Sequence, residues 1–253
     1  MKKSMMTVGP DKKGASARDM RKMFGSGVSF LAKEAYKRLR INLMFALSDR
    51  ECEGGCVVGL TSSLRGEGKS TTVVNLASVL AEQGKSVVVI EGDLRLPTLR
   101  KKLKIRDKGG LSNVLIERAD PMSYMKRCKV GSVDDRVIAF DVLTAGVIPP
   151  NPSELLGSKR MEAVLASLRK NYDFVLLDLP PVTAVSDALV ALNLVDGVVL
   201  VVRNEYCDRS SLDETIRQIR QVNGRIFGFA YTCASLGKGG YSKKYKYRYY
   251  NAE

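Results

Sequence analysis

The residues best suited to chemistry lie between positions 61 and 71, where the chain reads TSSLRGEGKST. The terminal Gly68-Lys69-Ser70 is that of a phosphate-binding loop, with Ser63 where the strict pattern has its first glycine. Such a loop turns successive backbone N–H groups toward phosphate oxygens, and Gly66 and Gly68 allow this because they lack a Cβ. Gly66, Glu67, Gly68, Lys69, Ser70 and Thr71 are therefore the candidate nucleotide-binding residues. Lys69 reaches the outer phosphates and the Ser70 hydroxyl is placed to hold Mg²⁺. Two acidic sites follow. Glu91 and Asp93 come directly after the apolar run VVVI, and Asp178 closes FVLL. In an open α/β sheet the ligand lies at the carboxyl ends of the strands, which would bring Ser70, Asp93 and Asp178 onto one Mg–nucleotide. The plain alternatives are a ligand-free glycine turn and carboxylates that cap helices or turns. Three elements in the right order outweigh them. Asp187, after Ser186, reads simply as the N-cap region of the next helix.

These groups need a scaffold, and the hydropathy pattern supplies one. Leu31, Ala35, Leu39, Leu43 and Leu47 recur every four residues and predict an amphipathic helix. Short apolar runs at 56–61, 86–90, 137–143, 173–177, 197–202 and 225–231 predict strands. Helical segments are expected at 70–83 (stopped by Gly84), 159–170, 187–194 and 212–221, with a Pro-rich turn at 149–152. Continuous Val/Leu/Ile strands alternating with helices define an α/β fold, a mostly parallel β-sheet flanked by helices on both faces, of P-loop NTPase type. Residues 1–27 read as a flexible basic arm, 28–235 as the nucleotide-binding domain, and 236–253 as a C-terminal tail.

Composition narrows the function classes. The 253 residues contain no His, which excludes Ser-His-Asp and Cys-His catalysis and every His-ligated metal site. Five cysteines without a Cys-x-x-Cys pair read as thiols of a reducing cytosol. No apolar run approaches the length of a membrane span, so the chain reads as cytoplasmic. The net charge of +14 comes from three segments, residues 1–24, 100–108 and 236–253, which leaves the rest neutral. This distribution argues against a nucleic-acid footprint. The run at 100–108 (RKKLKIRDK) reads as a solvated helix face.

The motifs SSLRGEGKSTTVVNLA, VVVIEGDLRLP and YDFVLLDLPPV, with EAYKRLRINLMF upstream and AGVIPPNPSELLGS between them, resemble those of the bacterial tyrosine kinases (BY-kinases). The similarity is to the free-standing type encoded in capsule and exopolysaccharide operons and covers residues 30–253. It implies an ATP- and Mg²⁺-dependent kinase in which Lys69, Glu91, Asp93 and Asp178 are catalytic, with Ser70, Asp93 and Asp178 at the metal. It implies a membrane-embedded polysaccharide co-polymerase whose cytoplasmic tail activates the kinase and recruits it to the inner face of the membrane. It further implies a homo-oligomeric ring when unphosphorylated, and a cognate tyrosine phosphatase. The chain departs from the family pattern at Arg65, at Glu91 in place of an Asp, at Leu179 and at Lys37 within the ring-assembly motif Glu34-x-x-Lys37-x-x-Arg40. The tail carries five of the ten tyrosines, Tyr241, Tyr245, Tyr247, Tyr249 and Tyr250, which are the expected phosphoacceptors. The other five are expected to be structural. A partition-type positioning ATPase, or a nucleic-acid or membrane-surface module with a relic phosphate loop, is the competing reading. The former typically carries an extra lysine early in the loop, where this chain has Ser63, Leu64 and Arg65.

Overall fold

The computed structural model describes residues 28–48, 54–133 and 136–234. Helix α1 (Phe30–Ser48) is followed by β1 (Cys56–Ser62), α2 (Lys69–Glu82), β2 (Val87–Glu91) and the single turn α3 (Leu99–Lys102). Next come α4 (Leu111–Ile116), a 3₁₀ turn (Pro121–Tyr124), β3 (Lys126–Val133), β4 (Arg136–Leu143), α5 (Pro152–Leu156) and α6 (Lys159–Arg169). The series closes with β5 (Phe174–Asp178), α7 (Asp187–Leu192), β6 (Gly197–Arg203), α8 (Arg209–Gln221) and β7 (Ile226–Thr232).

The seven strands form one sheet in the order β3-β4-β2-β5-β1-β6-β7, parallel throughout except for the β3–β4 pair. Because strand side chains alternate between faces, the sheet feeds two cores. Val57, Val88, Ile90, Val175, Leu177 and Leu200 pack against α4 to α8 on one face. Val58, Leu60, Val89, Leu176 and Val201 pack against α1, α2 and Leu99 on the other. Strands buried on both sides carry no polar alternation, which is why they read as continuous apolar runs.

Several expectations need correction. Strand β3 was not expected. Its Arg127 and Lys129 are exposed, Cys128 and Val130 face the core, and the register slips between Lys129 and Gly131. A charged, bulged edge strand gives a weak hydropathy signal. The apolar stripe of α1 is shifted: Leu43 and Leu47 are buried and Tyr36 and Leu39 partly so, whereas Leu31 and Ala35 are exposed. Arg40 ties α1 to α2 by donating to the Val79 carbonyl at 2.9 Å. The run at 100–108 is not one solvated helix face. Only Leu99–Lys102 is helical, and Leu103 and Ile105 pack against the core. Tyr206 and Tyr231 are exposed, yet each makes a structural contact: the Arg203 guanidinium lies 4.9 Å from the Tyr206 ring centre, and the Tyr231 hydroxyl donates to Asn204 Oδ1.

Candidate functional site

The phosphate loop joins β1 to α2. Gly66 (φ 82°) and Gly68 (φ 98°) hold left-handed backbone conformations, and Gly68 forms the N-cap of α2. A Cβ at Gly68 would come no closer than 3.6 Å to Thr232, so the backbone angle, not space, requires glycine. Strands β6 and β7 and the turn after β5 brace the loop. The Thr183 hydroxyl donates to the Ser63 carbonyl (2.5 Å), the Thr232 hydroxyl to the Glu67 carbonyl (2.8 Å), and an Arg203 guanidinium nitrogen to the Gly66 carbonyl (3.2 Å).

The Glu67 carboxylate is fully buried and accepts the Leu64 N–H (2.5 Å) and the Arg203 N–H (3.0 Å). Its side chain therefore fastens the loop to the end of β6, and its part in a phosphate cradle falls to the backbone. Thr71 follows in the first turn of α2.

Sheet register brings the acidic residues together. Asp178 pairs with Leu60 of β1 on one side and with Glu91 of β2 on the other, so three strands end side by side beneath the loop. Burial pushes the Asp178 carboxyl up to about 7, although Lys69 and a hydrogen bond from Ser70 pull it down. Its Oδ1 is buried and has no hydrogen-bond partner among the described residues. Burial lowers the Lys69 ammonium, and Asp178, Asp93 and Glu67 partly restore it. Asp93 is only half-buried, and its Oδ1 accepts the Leu96 N–H at 3.0 Å. The Ser70 hydroxyl lies 3.3 Å from that of Thr98.

Glu91 is held differently. Its Oε1 accepts the N–H groups of Thr98 (2.5 Å) and Leu99 (2.6 Å), and its Oε2 accepts that of Ala145 (3.0 Å). It is buried, and burial raises its carboxyl while these three N–H groups work against the rise. The longer glutamate thus joins the end of β2 to the start of α3 and to the segment after β4.

Asp187 does more than mark a helix start. Ser186 makes no capping bond, and the Asp187 carboxylate is fully buried against Arg95 and the Ser153 hydroxyl. No local pattern in the sequence could announce this contact, since Arg95 and Asp187 meet only through the fold. The phosphoacceptor candidates Tyr241, Tyr245, Tyr247, Tyr249 and Tyr250, and the segment 1–27, lie outside the described residues.

The donors at the expected metal position fit Mg²⁺. They are hard oxygens, a serine hydroxyl and two carboxylates, one with an orphaned buried oxygen. Among the described residues no cluster of three carboxylates or thiols could hold a metal by itself. That suits an ion held by one or two carboxylates that completes its shell with phosphates and water.

A glycine-turned loop at a helix N-terminus, next to strand-end carboxylates in a parallel sheet, defines a P-loop nucleotide-binding protein. A family profile described as an AAA domain matches residues 57–227. The chain belongs to the bacterial tyrosine-protein kinases. It is 36% identical to tyrosine-protein kinase YwqD of Bacillus subtilis over 88% of each chain. It is 31% identical to the putative tyrosine-protein kinase CapB of Staphylococcus aureus over 87% of this chain and 90% of that one. Among solved structures, the chimerical protein CapA2B2 superimposes with a TM-score of 0.68 at 31% identity, covering 78% of this chain and 82% of the other. The kinase domain of the Escherichia coli tyrosine kinase ETK gives 0.70 at 30% identity, covering 83% and 80%.

Proposed function

We propose that this kinase transfers the γ-phosphoryl group of ATP to tyrosines of its own C-terminal cluster, in trans, and thereby regulates capsular or exopolysaccharide synthesis or export. The observation that carries the reading is the meeting of Lys69, Ser70, Asp93 and Asp178 at the adjoining ends of β1, β2 and β5.

Lys69 and the loop N–H groups orient the phosphates and neutralise their charge, the larger part of phosphoryl-transfer catalysis. Ser70, Asp93 and Asp178 are assigned to Mg²⁺, which when bound supplies further neutralisation of the phosphate oxygens. Asp93 is also assigned to the incoming tyrosine, because it is half-buried at the front of the site, whereas both Glu91 oxygens are engaged by backbone N–H groups. The phenolic oxygen attacks, ADP leaves, and Asp93 accepts the phenol proton. A phenol with a pKa near about 10 reacts largely protonated in a loose transition state, so a weak carboxylate base suffices.

The acceptor assignment rests on the sequence of the tail, where Tyr241, Tyr245, Tyr247, Tyr249 and Tyr250 alternate with Lys and Arg. Each phosphate adds about −1.5 to −2 charge, so full modification inverts the sign of this segment. An unmodified tail docked in a neighbour's site would then be released, dissolving a ring. Lys37 weakens the expectation of a ring: it pairs with Glu34 within the helix at 2.8 Å and cannot give a bidentate guanidinium contact. Residues 28–235 are assigned as the catalytic domain. A membrane-embedded co-polymerase tail as activator, a tyrosine phosphatase as antagonist, and a place at the inner face of the membrane follow from family membership. No helix among the described residues is long and apolar enough to cross a membrane.

Intact mass spectrometry after incubation with Mg-ATP, with and without an activator peptide, tests the proposal. The expected result is a ladder of phosphate additions mapping to residues 241–250, absent in Lys69→Met. Equal labelling of the two proteins overturns it. A ladder mapping elsewhere overturns the acceptor assignment alone.

A further inference from the structure

The basic run at 100–108 has no role in the reading so far, and one of its members differs from the rest. In α3, Arg100 and Lys101 are exposed, whereas Lys102 is half-buried. Its backbone N–H donates to the Thr98 carbonyl at 2.9 Å, so Lys102 stands one turn beyond Thr98 on the same side of the helix. That side faces the phosphate site, since the Thr98 hydroxyl lies 3.3 Å from the Ser70 hydroxyl. The turn is firmly held: Glu91 accepts the Thr98 and Leu99 N–H groups, and the Leu99 side chain is completely buried. No ion pair among the described residues engages Lys102.

We propose that Lys102 is a second phosphate-binding cation of the site, directed at the terminal phosphate of the bound nucleotide. The inference rests on the nucleotide-binding reading and deepens it. Lys69 at the start of α2 and Lys102 at the end of α3 then place ammonium groups on two elements of one site, and a polyphosphate is an anion that both can share. The loop has no lysine before Lys69, and an Arg203 guanidinium nitrogen is bonded to the Gly66 carbonyl. A cation delivered by α3 would supply charge at the transferring group, where it counts most in phosphoryl transfer.

Titration of the full chain with fluorescent ADP and a non-hydrolysable fluorescent ATP analogue, in Mg²⁺, tests this. Lys102→Ala is expected to weaken the triphosphate analogue by about 10-fold or more, the usual scale of a charge-assisted hydrogen bond. ADP affinity should change little. Lys101→Ala, one position away and exposed, should behave as wild type, and Lys102→Arg should recover most of the loss. Unchanged triphosphate affinity in Lys102→Ala overturns the proposal, and so does an equal loss in Lys101→Ala, which would reflect general basic charge. Equal losses of ADP and ATP affinity overturn the terminal-phosphate assignment. A wild-type chain that binds neither nucleotide overturns the nucleotide reading together with the inference.

Discussion

Arg95 and Asp187, 92 positions apart, form a two-pronged ion pair, with Nε–Oδ2 at 2.7 Å and Nη2–Oδ1 at 3.1 Å. Asp187 is wholly buried and Arg95 is half exposed. The pair fastens the segment after β2, which carries Asp93, to the first turn of α7. The Ser153 hydroxyl on α5 joins the same carboxylate. Three elements that meet only in the folded chain therefore share one buried charge.

That charge makes acid stability depend on Asp187. Burial pushes its carboxyl up, but hydrogen bonds from Arg95 and Ser153 and the Arg95 charge outweigh burial and hold it below the ordinary aspartate range. A depressed folded-state pKa contributes stability that is fully present above the unfolded value of about 3.9 and is lost as pH falls through the folded value. Asp187→Asn should therefore lower the urea midpoint at pH 7 and flatten its dependence on pH below about 4. Parallel curves for the two proteins over that acid range would contradict the assignment.

Glu91 should behave as a strut. Glu91→Ala leaves the buried Leu99 and Ala145 N–H groups without partners, at about 1–3 kcal/mol each, and removes the acceptor of the part-buried Thr98 N–H, so the urea midpoint should drop sharply. Glu91→Gln keeps one oxygen and should lose less. Glu91→Asp is one methylene shorter and should fail to span Ala145 and the start of α3 together. If Glu91→Ala unfolds at the wild-type urea concentration but no longer transfers phosphate, Glu91 belongs to the chemistry instead.

Gly68→Ala separates backbone strain from crowding. The added methyl meets Thr232 only at ordinary contact distance, so the cost is that of an L-residue at positive φ, about 1–2 kcal/mol. The loop should relax out of its cradle, and nucleotide affinity should fall more than thermal stability does. Calorimetric titration and a melting curve on the same sample compare the two losses.

Cys128 should be a slow thiol. Burial, reinforced by the Asp141 charge, pushes it up to about 11. Its thiolate fraction at pH 8 is then about one in a thousand. Ellman's reagent should therefore modify the exposed Cys233 well before Cys128 in the native protein. Peptide mapping after partial reaction reads the order, and early labelling of Cys128 would show that β3 opens readily.

What the sequence determined by itself was local. A phosphate loop is a contiguous device, so Gly66, Gly68, Lys69 and Ser70 were legible from their order. Strands buried on both faces announce themselves by continuous Val/Leu/Ile runs, so the parallel sheet was legible too, except for the charged, bulged β3. The roles of the carboxylates were decided only by tertiary structure. Glu91, Asp93 and Asp187 are chemically alike in a linear reading. In the fold one holds three backbone N–H groups, one is half-buried and accepts a single N–H of the turn after β2, and one is buried against an arginine. Lys102 likewise differs from the other basic residues of its run, being half-buried where they are exposed, only because one helical turn sets it on the same side of α3 as Thr98. A carboxylate or an ammonium takes its function from the donors, charges and solvent around it. Here residues as distant in sequence as Glu91 and Ala145, or Arg95 and Asp187, provide those surroundings.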